Sequence, residues 1–443
     1  VYYPNKNLFK VGGHVRHFLS KAVYGGRCMC AYNKKWYVEA NICDYDAVSL
    51  YPSAMARLWT VEGRPNVISD SHLNLEFLSK QAAYIVEIKI TAVHKHYPFP
   101  LIVQKINGLN VNCDEITEPI TIVVDNIMLE DLINFQQIEF EFIKGYYWDG
   151  ERDTRIQDEI KKIFQKRVEY KRQKNPLQQL YKLIMNSCYG KTIEKPVEKD
   201  IKYIRGFEDK EKYIRKNYNK IVEITEIRDS DIYGVKEIVP IDDHFNFSLL
   251  GIQVLSMSKR IMNEVMCLAY DIGCKIYYQD TDSMHIVKED LEKLEKAFED
   301  KYHRPLKGTN LGQFHTDFCS FDGREDVQHA VRSIFLMKKM YIDELRMSDN
   351  TYSFMFRGKG LTTKSILHLA KKKYGNNLMS LYNDLYEGFT LTFDLTKGQP
   401  CFRMDKDLSV VNIKDFKRKI KTDYEEGKEH THTVCVPYYK AAP

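Results

Sequence analysis

Hydrophobic and polar residues change rhythm several times along the chain. Residues 41–57 (NICDYDAVSLYPSAMAR) begin as a strand-like apolar run and pass into a polar-capped, helix-like segment. From about Tyr84 to Gly150, β-branched and aromatic residues alternate with polar ones (AYIVEIKITAV, ITIVVDNIML, IEFEFIKGYYW), which predicts strands. Asp158 to Lys191 reads as helix, densely basic at first and apolar later, with Pro176 as the break between two helices. Residues 192–245 are highly charged with short strand-like runs, the texture of an insertion. The stretch SMSKRIMNEVMCLAYDIG then predicts a helix, and KIYYQDTDSMHIV a strand, tight turn and strand. After Tyr341 the pattern gives short strands, then a lysine-rich helical end from about Thr362.

Composition narrows the class. With 443 residues, 44% hydrophobic and 29% charged, the chain is an ordinary globular protein of two to four units. A net charge of +5 excludes a histone-like polycation, so any contact with nucleic acid must come from local basic surfaces. The ten cysteines form no C-x-x-C pair, and they read as reduced, mostly buried thiols in an intracellular setting. His430, His432 and Cys435 cluster in a polar tail rather than in a metal-binding pattern. No apolar run reaches membrane-spanning length, and no signal peptide opens the chain, which begins at Val1 and so reads as a fragment or processed form.

Two acidic motifs carry candidate chemistry. Asp46 ends an apolar strand and is followed by Ser49-Leu50-Tyr51-Pro52-Ser53, while Asp280 and Asp282 sit in the turn Tyr278-Gln279-Asp280-Thr281-Asp282-Ser283. A strand end beside a hairpin turn can converge carboxylates on two metal ions, as nucleotidyl transfer requires. Asp, Thr and Ser also favour turns, so the second motif alone is equally an ordinary hairpin. The third element is Lys182 to Lys191, KLIMNSCYGK. On a helix Lys182, Asn186 and Tyr189 fall at i, i+4 and i+7, one face offering a cation, an amide and an aromatic ring. The same helix would place Leu183, Ile184 and Met185 in a core.

In this order the three motifs resemble those of the family B DNA polymerases: D-x-x-S-L-Y-P-S at Asp46 to Ser53, K-x-x-x-N-S-x-Y-G at Lys182 to Gly190, and Y-x-D-T-D-S at Tyr278 to Ser283. Reverse transcriptases would show Y-x-D-D in the last position. The resemblance runs from about Val11 to Gly360. Tyr24-Gly25-Gly26-Arg27 is similar to the family's Y-x-G-G element without its spacer, Leu311-Gly312-Gln313-Phe314 to L-G-x-W with Phe for Trp, and Lys338-Lys339-Met340-Tyr341 to K-K-x-Y.

The resemblance implies an α+β right-hand fold with an antiparallel-sheet palm (residues 1–65 and 246–345), helical fingers (151–200), a thumb (346–443) and insertions at 66–150 and 201–245. It implies two Mg²⁺ ions, with Mn²⁺ as a substitute, held by Asp46, Asp282 and the carbonyl of Ala47, with Asp280 as an auxiliary carboxylate and Asp44 structural. Ser49 and Leu50 would cradle phosphates, Tyr51 would exclude a 2′-hydroxyl, and Lys182 with Lys171 or Arg172 would hold the triphosphate. Asn186 and Tyr189 would pack over the nascent base pair. Tyr24, Gly25, Gly26, Arg27, Gly190, Lys191, Thr281, Lys338, Lys339 and Tyr341 would contact DNA. The implied partners are a DNA primer–template, deoxynucleoside triphosphates and a terminal protein as candidate primer, with no membrane. The 98 residues from Lys182 to Asp280 exceed what a short finger loop needs, as in protein-primed members from linear-genome phages, linear plasmids, virophages and self-synthesising transposons. Only 45 residues precede Asp46, too few for the family's 3′–5′ exonuclease domain. The rival readings are a catalytically silent nucleic-acid-binding relative and a primase-polymerase that starts chains de novo.

Overall fold

The computed structural model describes residues 11–106, 109–194, 199–227, 230–239, 247–395, 402–404, 410–412, 417–422 and 437–441. The candidate cluster His430, His432 and Cys435 lies outside these residues.

A nine-stranded antiparallel sheet forms the centre. Its order is Cys28–Cys30, Ile276–Asp280, Ser283–Val287, Ile42–Ala47, Val327–Met337, Met340–Met347 and Tyr352–Arg357, with Phe314–Thr316 paired to Ile42–Ala47 and Trp36–Val38 paired to Val327–Met337. Strands distant in sequence thus meet at Ile42–Ala47. Successive side chains of that strand point to opposite faces. Tyr45 and Ala47 enter the core beside Val254, Ile261 and Val265 of the helix Ser248–Asp271, while Asp44 and Asp46 take the other face. Of that helix's 24 residues 19 are buried, as expected of a helix enclosed by other elements.

Residues 66–150 form a separate four-stranded sheet, ordered Asn66–Val67, Ile138–Trp148, Ala83–Val93, Ile120–Asp125. The predicted strand ITIVVDNIML is shorter than its apolar pattern. It stops at Asp125, whose carboxylate accepts from the Met128 N–H (3.1 Å) and caps the helix Asn126–Asp131. A capping side chain outcompeted β propensity here. The two expected helices follow, Arg155–Arg172 and Leu177–Thr192, separated at Pro176. The charged segment beyond them is more ordered than its texture suggests. Strands Lys199–Arg205, Ile232–Ile238 and Ile221–Glu226 form a three-stranded sheet, with the helix Phe207–Asn217 between the first and last in sequence. Among the described residues the C-terminal part has the helices Thr363–Tyr374 and Leu378–Tyr386; strands Leu391–Asp394, Lys417–Thr422 and Pro437–Ala441 then pair in a small sheet. Among the described residues no helix is long and apolar enough to cross a membrane.

Candidate active site

Antiparallel register brings the two acidic motifs together. Ser283 faces Asp46 across the ladder, so Asp282 sits one residue from Asp46's partner, and its carbonyl accepts from the Ala47 N–H (2.8 Å). The turn that presents Asp282 is tight: Thr281 has φ 63°, and the Asp282 N–H donates to the Asp280 carbonyl at 2.7 Å. Burial raises the Asp46 carboxyl to about 8, and Asp282, Asp44 and Asp317 add to the rise against an opposing pull from Lys182. The Asp282 carboxyl is also raised, chiefly by burial. Two half-buried carboxylates that disfavour their own ionisation are a good fit to a divalent cation, which would hold both ionised. Among the described residues no group of three or more His, Cys, Asp or Glu side chains stands ready to hold a metal. Asp46, Asp282 and the Ala47 carbonyl would therefore need water or substrate oxygens to complete an oxygen shell.

Asp280 is held apart from that pair. Its carboxylate meets Lys339 Nζ at 2.5 Å, and the Lys339 N–H donates to the Tyr278 hydroxyl at 2.8 Å. Lys339, at φ 61°, forms the turn between Val327–Met337 and Met340–Met347. Beneath the hairpin lies a buried ion cluster. His285 Nε2 is 3.1 Å from Asp343 Oδ2, His285 Nδ1 is 3.9 Å from Asp44 Oδ1, and Ser333 Oγ donates to Asp343 at 2.6 Å. Burial alone would lower the His285 imidazole, but the Asp343 and Asp44 carboxylates outweigh it and raise it to about 8. Asp44, expected to be structural, is part of this cluster.

Tyr341, expected at the primer end, lies in the same layer. It is 4% exposed and packs against the rings of Tyr278 (4.8 Å) and His285 (5.2 Å). Arg27, expected to contact DNA, is enclosed likewise. It is 4% exposed, and its guanidinium is spent on Gln279 Oε1 (2.5 Å) and the Phe99 carbonyl (2.9 Å), so it holds the loop rather than offering a cation to DNA. Tyr24 is partly buried, and its carbonyl accepts from half-buried Lys259 (2.9 Å), whose ammonium is lowered to about 8 by desolvation. Gly26 packs directly on the D-T-D turn: a Cβ there would come within 2.5 Å of Thr281 Cγ2. The Thr281 N–H donates to the Arg27 carbonyl at 2.8 Å. Gly25 is exposed, and Lys338 is half-buried.

Ser49 takes the left-handed conformation (φ 49°, ψ 60°), turning the strand into the helix Leu50–Met55. Ser53 Oγ bonds the carbonyls of Val48 and Ser49, both at 2.9 Å, and locks that turn. Leu50 is buried, and Tyr51 stacks on Tyr189 with ring centroids 4.2 Å apart and planes inclined by 20°. Lys182 and Asn186 are exposed on the same helix as Tyr189, and Lys182 acts electrostatically on Asp46. The expected core of that helix reduces largely to Met185, since Leu183 is 65% exposed. Lys191 pairs with Glu194 (2.9 Å), and Gly190 has open space where a side chain would stand.

Two functional candidates escaped the sequence reading. Lys171 and Arg172 lie beyond the Tyr170–Tyr181 ring contact (5.4 Å), toward the exposed tip of the helical hairpin. Arg167, one turn before Lys171, instead reaches the site: its Nη1 donates to Ser49 Oγ at 2.8 Å, and its Nε is buried without a partner. Its i−4 spacing from Lys171 was the available signal. Asp317 has no motif. It follows Phe314–Thr316, donates its N–H to the Asp44 carbonyl (3.1 Å), and adds a third negative charge near Asp46.

A family model described as "DNA polymerase type B, organellar and viral" matches residues 1–242. A protein named "DNA polymerase" from Kluyveromyces lactis is 25% identical over 311 residues, covering 69% of this chain and 29% of that protein. A "Probable DNA polymerase" from Ascobolus immersus is 25% identical over 290 residues, covering 64% and 22%. The chain thus spans less than a third of either relative. Among solved structures, phi29 DNA polymerase in an orthorhombic crystal form matches with a TM-score of 0.62 at 18% identity, covering 93% of this chain and 64% of that one. A ternary complex of phi29 DNA polymerase with primer-template DNA and incoming nucleotide substrates matches with a TM-score of 0.59 at 17% identity, covering 92% and 62%. The α+β right-hand polymerase fold is common to them. With more than half its length matched by the family and the motif carboxylates converging on that fold, the chain belongs to the organellar and viral type B DNA polymerases.

Proposed function

We propose that this chain is the polymerising core of a DNA-directed DNA polymerase, adding deoxynucleotides to a primer 3′ hydroxyl on a DNA template. The observation that carries the reading is the meeting of Asp46 and Asp282, from motifs more than two hundred residues apart, as neighbouring carboxylates both raised by burial. Asp46, Asp282 and the Ala47 carbonyl would hold two Mg²⁺ ions, or Mn²⁺. Such a pair supplies activation of the attacking oxygen and charge stabilisation at the leaving pyrophosphate.

The chain's own residues position the reactants. Lys182 and Arg167 flank the site with cations for the triphosphate, and Arg167 also fixes the Ser49 turn. The stacked Tyr51 and Tyr189 wall the place of the sugar and base. Lys339 neutralises Asp280 and leaves the metal pair to Asp46 and Asp282. The separate sheets within 66–150 and 199–238 support the protein-primed reading, with a terminal protein hydroxyl as first primer, in replication of a viral or mobile-element genome.

Primer extension with Mg²⁺ tests the assignment. Asp46→Asn or Asp282→Asn should each lose on the order of 10³-fold in nucleotide addition, since metal placement is worth several kcal/mol. Asp44→Asn should retain most activity. Near-normal extension by either metal-site variant refutes the assignment; parallel reactions without primer separate de novo initiation, and inactivity of the unmodified chain favours the silent relative.

A further inference from the structure

A groove of about 750 Å³ lies between the helix Thr363–Tyr374 and the strand Tyr352–Arg357, away from the carboxylates. Its helical wall carries Lys364, His368 and Lys371, whose i, i+4, i+7 spacing puts them on one face. The facing wall presents Phe321 and Tyr352, 42% and 58% exposed. Among the described residues no carboxylate lies within ion-pair distance of those three basic side chains. The groove's own acid, Asp322, is engaged by the Ser320 hydroxyl and the Arg324 N–H. A second cavity of about 400 Å³ lies at the other end of the same strand, beside the start of the helix, lined by Lys339, Arg357 and Lys359. It begins beside the D-T-D turn, because Lys339 also holds Asp280.

We propose that this basic, aromatic track holds the unpaired 3′ end of a primer strand. The inference rests on the polymerase reading above. Free cations opposite exposed rings match single-stranded nucleic acid, whose phosphates meet the cations while bases stack on the rings. Paired bases have their faces covered by neighbours, and a cavity of this size takes a small ligand, one or two nucleotides, rather than a duplex. The strand from Tyr352 to Arg357 spans about 17 Å, so a tail of a few nucleotides leaving the turn at Lys339 reaches Tyr352. The origin of the track at Lys339 favours the primer over a displaced strand.

The test uses the full chain and primer–templates bearing 2-aminopurine at the end of a four-nucleotide unpaired 3′ tail. Binding should quench the probe several-fold, and the Phe321→Ala/Tyr352→Ala double variant should restore fluorescence to within twofold of the free tail, while Tyr352→Phe keeps the quench. Lys364→Ser/Lys371→Ser should weaken binding of tailed primer on the order of tenfold and lower its salt slope by about 1.5 to 2, leaving fully paired primer unchanged. Quenching that persists in the ring-deletion variant, or that is equal with the probe on a displaced 5′ strand, overturns the proposal. Extension of paired primer by the same preparations reports folding and the polymerase reading separately. An unmodified chain that quenches the tail without extending paired primer would sink only the latter.

Discussion

Tyr51 is a residue whose packing has a direct reading in substrate choice. Its ring lies on Tyr189 and beside the Asp46–Asp282 pair, so shortening it opens space where a 2′-hydroxyl would stand. Tyr51→Val should raise ribonucleotide use relative to deoxynucleotide use by roughly 10–100-fold, the scale of a small shape difference in a pocket. The ratio of kcat/KM for the two nucleotides measures it, and an unchanged ratio would move discrimination elsewhere. His285 makes a different claim, about stability. It faces the Asp44 and Asp343 carboxylates and is boxed by Tyr278, Phe318, Phe335 and Tyr341. Its imidazole is raised from 6.5 to about 8, so its contribution is fully present below about pH 6.5 and is lost as pH rises through 8. The size is about 2 kcal/mol. Melting temperature should fall between pH 6.5 and 8, and His285→Gln should start lower at pH 6 and flatten that fall. Parallel pH curves for the two proteins would show that His285 does not titrate across this range.

At the scale of elements, what was legible in the sequence was local. The strand ending in Asp46, the helix break at Pro176 and the D-T-D hairpin each rest on periodicity, a ring constraint or turn chemistry contained within a few residues. The charged helix Phe207–Asn217 was legible in principle, with Gly206 before it, Glu208 and Asp209 in its first turn and Arg215 and Lys216 in its last, the charge order that suits a helix dipole. It was lost in the density of charge around it. The burial of Arg27 and Tyr341 is of another kind. Both stand in motifs whose residue types suit DNA contact, and only pairing of distant strands buries them: Cys28–Cys30 on Ile276–Asp280 covers Arg27, and the sheet around His285 encloses Tyr341. Asp317 was invisible, and Arg167 signalled only by its spacing from Lys171, for the converse reason: their roles come from proximity to Asp46 and Ser49 across more than a hundred residues. Gly26 shows a motif residue doing structural work, because the D-T-D turn closes down on the space a side chain would fill.

At the scale of the whole molecule, a net charge of +5 leaves little general attraction for DNA, so long tracts of synthesis need a local holding device. The sheet of residues 199–238 is suited to that role. One face is closed by its helix, where the Tyr213 hydroxyl donates to Glu237 at 2.6 Å and Lys202 pairs with Glu237 at 3.0 Å. Register and alternation put Ile201, Tyr203 and Ile238 on the other face with Lys199, Arg205 and Lys236, and the three apolar side chains are exposed. Arg205 pairs with Asp231 (3.4 Å) and Lys236 with Glu223 (3.1 Å), which leaves Lys199 as that face's unpaired cation among the described residues. Such a face with exposed apolar groups, carried on an excursion between the helical hairpin and the D-T-D hairpin, can close over a template so that DNA threads past it. Deleting 199–238 should therefore spare addition of a single nucleotide but shorten products made in one binding event and abolish displacement of a non-template strand. The salt slope of template binding should fall by about 1, as expected for losing the phosphate contact of Lys199. Unchanged product length and displacement would reduce the module to a surface elaboration, leaving the assignment of Asp46 and Asp282 untouched. Priming by a protein hydroxyl is independent of that outcome, and is read by linkage of a first nucleotide to a partner's serine, threonine or tyrosine.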